Sequence, residues 1–265
     1  MKIGSGLLKV VSCCIVFFLF LPLFVLISVS FTKTGYLKFP PQGFTFQWYL
    51  EFVRDPTYIR SITVSFLLAL TSTLMAILIG IPVSLALSRY HFRGKGTLAS
   101  FFLAPLVLPQ VVIGAALVQY LSLVGLARSF MGLFLAHVVI VIPYIIRTVS
   151  ANLVGFNRSL EEAAQDLGAD GFQTFFLVTL PLIKPGVIAG ALFAFVMSWI
   201  NVEVSMFLTT GSLIPIPIKI FNYIQYNVDA LIAAVSATTV YIALAITLII
   251  DVVVGLEKFT EVGQK

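Results

Sequence analysis

Six runs of roughly twenty apolar residues dominate this chain, and such runs require a bilayer as their solvent. They cover residues 8–31, 59–88, 98–121, 130–149, 185–208 and 231–254. Hydrophobic residues make up 60% of the 265, charged residues 10%, and the mean hydropathy is +1.08. A water-soluble fold of this length needs far more charge on its surface. In hydrocarbon every backbone N–H and C=O must be satisfied within the segment, so runs of this length are helices. The two-residue alternation of a barrel strand is absent from the sequence. The expected fold is all-α: one membrane domain over residues 1–265, with six transmembrane helices and no separate soluble domain.

Lysine and arginine near the span ends set the orientation. Lys2 and Lys9 precede the first span, and Arg89, Arg93 and Lys95 follow the second. Arg147 and Arg158 follow the fourth, and Lys258 follows the last. With six alternating spans these groups share one side, which is then the cytoplasm and holds both termini. Lys33, Lys38, Arg54 and Arg60 flank the first outer loop, partly offset by Glu51 and Asp55, and the loop between spans three and four carries only Arg128. The net charge of +5 follows from this topology and does not mark a nucleic-acid surface. Cys13 and Cys14 lie inside the first span and are expected to be buried apolar residues with no disulfide role. That span is too long for a signal peptide, and no small-x-small cleavage site follows it.

Between spans four and five the chain turns polar. Ser159-Leu-Glu-Glu-Ala-Ala-Gln-Asp-Leu-Gly-Ala-Asp170 and its run on to Leu180-Pro181 read as a short helix, a sharp turn and a second short helix. Ser159 and Glu162 fit an S-x-x-E capping box, with acids at the helix N-terminus where the macrodipole favours them. Gly168 suits the left-handed residue that ends a helix, and Asp170 with Gln173 suits the cap of the next. Pro181 is expected to close that second helix. A rigid elbow over about residues 152–181, held at the membrane surface, is a docking device, and nothing in it is catalytic.

Two outer loops, about 32–58 and 209–230, carry turn residues and interfacial aromatics: Gly35, Pro40, Pro41, Gly43, Pro56, Trp48 and Tyr49 in the first, Gly211, Pro215, Pro217, Tyr223 and Tyr226 in the second. Within the spans, a charge near the centre costs about 2.5–3.5 kcal/mol on insertion scales, so each one needs a reason. Glu203 is the residue to face a cationic substrate, with an ion pair to a partner chain or an interfacial position as the competing reading. Trp199 lies one turn earlier on the same face and offers a cation–π wall. Asn201 is about 200° around an unbroken helix from Glu203, so one of the two faces a neighbouring helix. Pro105, Pro109 and Gln110 place a kink in span three, which a membrane tolerates where the helix faces protein or a cavity. Gln110 and Gln119 are path-lining groups by the same reasoning. His137 reads as a helix–helix hydrogen bond ahead of a proton relay. Arg147 and Asp251 reach the interface.

Several chemistries are excluded. The one Gly-Lys pair, Gly94-Lys95, is followed by Gly96 and lacks the upstream glycine of a P-loop, so this chain does not bind ATP that way. There is no H-E-x-x-H and no ligand cluster for a metal, and no partnered serine–histidine arrangement.

The elbow resembles the cytoplasmic loop of binding-protein-dependent ABC importer permeases, whose pattern is Glu-Ala-Ala, three residues, Gly, nine residues, then Ile-x-Leu-Pro. Here it reads Glu162-Ala163-Ala164, Gly168 and Val178-Thr179-Leu180-Pro181, with Val for Ile the one departure. The resemblance implies a type I ABC importer permease fold with a cytoplasmic coupling helix, in a bacterial inner membrane. It assigns Glu161, Glu162, Ala163, Ala164, Asp166, Leu167, Gly168, Leu180 and Pro181 to coupling with an ATPase dimer. ATP and Mg belong to that ATPase, so this chain carries no cofactor and is a translocation subunit rather than an enzyme. A second permease and a soluble substrate-binding protein complete the implied assembly. Phe39-Pro-Pro-Gln-Gly-Phe44 with Trp48-Tyr49, and the layout from span five through Thr210-Gly211, are similar to the second permease component of spermidine/putrescine systems. That implies a small polar or cationic solute passing Glu203, Trp199, Asn201, Gln110 and Pro109. Polyamine permeases often carry an acidic pair where this chain has Ile200-Asn201, so an opine, an amino-acid derivative or complexed iron stays open. A secondary transporter would have no use for a capped cytoplasmic elbow.

Overall fold

The computed structural model describes residues 3–155 and 157–254. Lys2 and Lys258, two of the charges that orient the spans, lie outside the described residues, as does the side chain of Asp251. In chain order the helices are α1 (Ile3–Val29), α2 (Gln47–Arg54), α3 (Pro56–Arg89), α4 (Lys95–Leu103), α5 (Gln110–Leu123) and α6 (Phe130–Val154). They continue with α7 (Ser159–Asp166), α8 (Gly171–Thr174), α9 (Leu180–Trp199), α10 (Ser205–Leu208), α11 (Ile216–Ile224) and α12 (Ala230–Val254). A 3-10 turn, Ala104–Leu106, follows α4, and a π-turn, Phe175–Thr179, joins α8 to α9. Among the described residues β-pairing is limited to two isolated bridges.

Among the described residues five helices are long and apolar enough to cross a membrane, and α4 with α5 makes a sixth when the pair counts as one span. That pair is bent by 107°, so the third span is not one helix over residues 98–121 with a mild kink. Pro105 and Pro109 lack N–H groups, so the chain tightens into the 3-10 turn, opens at Pro109 (ψ 126°) and restarts at Gln110. The neighbours of this pair settle its topology. Ser84 Oγ donates to the Ile146 carbonyl (3.3 Å), and a Cβ on Gly80 would lie 2.7 Å from Ile145 Cγ2. Arg89, the last residue of α3, donates to Glu161, seven residues past the end of α6 at Val154, so α3 and α6 end on one side. Residues 90–129 must carry the chain across, so α4 and α5 together cross once.

The chain forms two compact units, residues 61–218 with 243–265, and residues 1–60 with 219–242. The core of the first is built on α6, whose Leu133, Ala136, Val141, Ile145 and Val149 are fully buried. Helix α9 packs antiparallel on α6 through glycines: a Cβ on Gly186 would lie 2.9 Å from the Thr148 carbonyl, and one on Gly190 would lie 3.0 Å from Ile145 Cα. Small residues at such crossings let backbones approach where lipid gives no hydrophobic drive to associate.

In the second unit α1 presents its apolar side chains outward, and Cys13 and Cys14 are exposed on that surface, not buried within the protein. A span that faces lipid needs no protein cover for such residues. The first outer loop is ordered by an aromatic cluster of Phe31, Phe44, Phe46 and Tyr49, with Phe31 and Phe44 stacked at 4.9 Å. Trp48 Nε1 donates to the Thr32 carbonyl at 2.8 Å, and burial pushes the Tyr49 hydroxyl up to about 12. Asp229 accepts from the Tyr223 hydroxyl (2.5 Å) and from the Ile232 N–H (3.1 Å), which caps α12.

Candidate functional site

The elbow is built by local rules, with one substitution of partners. Ser159 is the first helical residue of α7, and both its N–H (3.1 Å) and its hydroxyl (2.8 Å) turn back to Asn157 Oδ1. The Ser159–Glu162 capping box therefore does not form. Glu162 instead faces Arg158 at 3.9 Å, in a solvated pair that contributes little. At the other end Gly168 takes φ +94°, its N–H bonds to the Gln165 carbonyl (2.9 Å), and the Ala169 N–H bonds to the Ala164 carbonyl (3.0 Å). These are the two bonds of a Schellman ending. Asp170 and Gln173 then form the expected box, with Gln173 N–H on Asp170 Oδ1 (2.7 Å) and Asp170 N–H on Gln173 Oε1 (3.1 Å).

Pro181 does not close the second helix. Residues from Gly171 to Trp199 run as one helical stretch of 29 residues, so the helix that holds the fifth span starts well before residue 185. The π-turn explains why: Leu180 N–H reaches back five residues to the Phe175 carbonyl, and the wider turn accommodates a ring that clashes in an ordinary α-turn.

The elbow residues divide into two faces. Glu162, Ala163, Asp166, Leu167, Gly168 and Pro181 are exposed, Leu167 to 91%, while Ala164 and Leu180 are half-buried. Glu161 points the other way and is only 6% exposed. Arg89 Nη2 at the end of α3 donates to Glu161 Oε1 at 2.5 Å, and the Thr179 hydroxyl donates to the same oxygen. Within this chain the Glu161 carboxylate is taken up by Arg89 and Thr179, while Glu162 beside it is open to solvent. Arg89 and Thr179 escaped the sequence reading. No local signal marked Glu161 for burial, because its partners lie 72 and 18 residues away in sequence.

A second locus lies where the helix of the fifth span ends. Helix α9 ends at Trp199, and residues 200–204 are irregular before α10 begins. Asn201, 3% exposed, accepts from the N–H groups of Val204 (3.0 Å) and Ser205 (3.2 Å) and donates to Gln110 Oε1 at 2.5 Å. The break in α9 is thereby joined to the restart at α5. His137, 1% exposed, ties the two sides of the break together, with Nδ1 2.7 Å from Ser198 Oγ and Nε2 2.9 Å from Ser205 Oγ. A Cβ on Gly114 would sit 3.0 Å from the Glu203 carbonyl, so α5 touches the break backbone to backbone.

The five residues expected along a path sit in different surroundings. Glu203 is exposed beside the break, with Pro109 exposed and Gln110 half-buried next to Asn201. Trp199 is 2% exposed and stacked on Phe195 at 6.1 Å, so it walls no path in this chain. Its pairing with Glu203 on one face fails because the helix does not continue past residue 199. Gln119 is exposed on α5, away from these bonds. Arg147 is exposed beside Tyr144, Thr148 and Phe193. The inside of the α4–α5 bend is a cavity of about 440 Å³ lined by Phe101, Pro105, Leu108, Ala116 and Val139, which offers nothing to a polar solute.

A family described as the binding-protein-dependent transport system inner membrane component matches residues 73–257, a stretch that holds both the elbow and the break. This chain belongs to that family. It is a permease component of an ABC importer, a translocation subunit rather than an enzyme. The permease is 30% identical over 232 residues to the spermidine/putrescine transport system permease protein PotC of Haemophilus influenzae, covering 88% of this chain and 90% of that one. It is 32% identical over 228 residues to the putrescine transport system permease protein PotI of Escherichia coli, covering 83% and 80%. Its fold matches a bacterial ABC transporter that imports the acidic polysaccharide alginate, with a TM-score of 0.75 over 94% of this chain and 96% of that one. At 16% identity that likeness concerns the fold alone.

Proposed function

We propose that this permease moves a polyamine-like cation across the inner membrane, driven by ATP hydrolysed on a separate subunit. The observation that carries the solute class is the similarity, over more than four-fifths of the chain, to permeases of spermidine/putrescine and putrescine systems. The exposed carboxylate of Glu203, beside a break where α5 and α9 lose helical bonding, supports it: irregular backbone at membrane depth is tolerated where it lines a cavity. Gln110 and Pro109 adjoin the same place.

The outward face of the elbow, Glu162, Ala163, Asp166, Leu167 and Gly168, docks on an ATPase dimer that binds ATP and Mg. Its support is an exposed apolar side chain, Leu167, at the tip of a doubly capped turn, a costly thing to leave in water. A second permease encloses the path, and a soluble receptor delivers solute to the outer loops; the family's description as binding-protein-dependent supports the receptor. Both termini lie in the cytoplasm with the elbow, the side that holds Arg89, Arg93 and Lys95.

One observation favours a second reading. Asn201 is buried and fully used in capping, so the break offers a single acid instead of a pair. An opine, an amino-acid derivative or complexed iron would ask for no more. Calorimetry on the soluble receptor of this system separates the two. Binding of putrescine or spermidine is the expected result; binding of an opine or an iron complex with no response to polyamines overturns the polyamine assignment.

A further inference from the structure

We infer that Glu161 is the internal joint through which the elbow moves as one body with the membrane helices α3 and α9. The inference rests on the proposed docking of the elbow on an ATPase, and it assigns Glu161 a positioning role rather than a contact with the partner.

Helix α7 is eight residues long and held between two turns, and a helix this short is not stable on its own. Something must fix it to the membrane domain if force applied to it is to go anywhere. The Glu161 carboxylate takes donors from two different elements, Arg89 at the last residue of α3 and Thr179 at the last residue of the π-turn. The Arg89–Glu161 pair is shielded, with side chains 22% and 8% exposed, where a charge-assisted bond is far less screened than at an open surface. The two recipients are themselves locked to α6, α3 by the Ser84–Ile146 bond and α9 by the close approaches at Gly186 and Gly190. A displacement of α7 thus arrives at the ends of two spans that share a third. The π-turn interrupts the α-helical bonding between α8 and α9 inside this linkage, a placement such turns frequently have at functional sites. Thr179 bolts its end to Glu161.

The test uses the full importer complex with Cys13→Ser and Cys14→Ser, and spin labels at Gln165→Cys on the elbow and Tyr90→Cys just past α3, both exposed positions. Electron–electron distances are measured without nucleotide and after trapping with ATP and vanadate. With Glu161 present, the distance is expected to stay constant between the two states. Glu161→Gln and Thr179→Val are each expected to shift or broaden it by roughly 2 Å or more on trapping, the scale of helix shifts in switching proteins. Both variants should retain the ATPase on purification at the unsubstituted ratio. A distance that already changes with Glu161 present overturns the inference, as do variants in which it stays constant. Loss of the ATPase from the variants alone also overturns it, because Glu161 would then support docking and not transmission. Failure of the docking reading looks different: the unsubstituted permease would itself retain no ATPase.

Discussion

Gly168→Val isolates the elbow's geometry from everything else in the protein. Gly168 holds φ +94°, and a Cβ added there meets nothing within 4 Å. Steric room is therefore irrelevant, and the whole effect is conformational. A β-branched residue at positive φ costs roughly 1–2 kcal/mol relative to glycine. The two cap bonds that depend on this conformation contribute about 0.5–1.5 kcal/mol each, so the strain is comparable to what holds the turn together. Against competing turns, the native elbow loses a factor of about 5–30. Because the position lies outside the apolar runs, membrane abundance should not change. The assay is putrescine uptake normalised to permease abundance, with ATPase retention on purification as a second readout. Uptake is expected to fall by up to that factor in Gly168→Val and much less in Gly168→Asn, since asparagine tolerates the left-handed region. Wild-type uptake by the valine variant at normal abundance would refute the elbow mechanism. An asparagine variant worse than valine would refute the conformational argument itself.

Three further outcomes follow from the packing and the break. Gly190→Ala places a methyl carbon 2.4 Å from Thr148 Oγ1 and 3.0 Å from Ile145 Cα, so α6 and α9 must separate. Overpacking of this kind costs about 1–3 kcal/mol and should lower the unfolding midpoint in detergent, while Gly155→Ala, with open space around it, leaves the midpoint in place. His137→Leu removes the ring nitrogens that partner Ser198 and Ser205; Ser198 can fall back on a carbonyl of its own helix, whereas Ser205, the first residue of α10, has no such carbonyl, so the loss should be about 1–3 kcal/mol, read by the same melt. Glu203→Gln keeps size and removes charge. It should raise the apparent KM for putrescine with little change in abundance, and an unchanged KM removes Glu203 from the path.

What the sequence revealed was whatever depends on near neighbours. Gly168 and the Asp170–Gln173 box are visible because a cap needs only a residue type and a spacing of three. The failures have the opposite character. Ser159 lost its expected partner to Asn157, two residues upstream, a competitor that the S-x-x-E spacing does not count. Pro181 is a helix breaker only while the turn before it is α; a π-turn, which no local residue type announces, let the helix through. Glu161 and Arg89 are 72 residues apart in sequence, and Asn201 and Gln110 are 91 apart. Periodicity cannot see such pairs.

The two breaks in the membrane show why that distance matters. The first was legible from Pro105 and Pro109, although its 107° bend exceeds what proline alone would suggest. The second, Ile200-Asn-Val-Glu-Val204, contains neither proline nor glycine, so nothing local asks the helix to stop. It stops because Asn201 turns its carbonyl oxygen onto the Val204 and Ser205 N–H groups and its amide N–H onto Gln110, which stands at the start of α5 only because the first break put it there. Each interruption takes backbone groups out of a continuous helix, and buried groups of this kind need other partners. Placed together, one break supplies a partner to the other, and His137 secures both rims of the second. An isolated kink in either span would be a defect; as a hydrogen-bonded pair the two make a stable irregular patch with the Glu203 carboxylate exposed beside it. The position of that acid is thus a consequence of α5 and α9 jointly, and substitutions at Gln110 should alter solute handling as surely as substitutions at Glu203 itself.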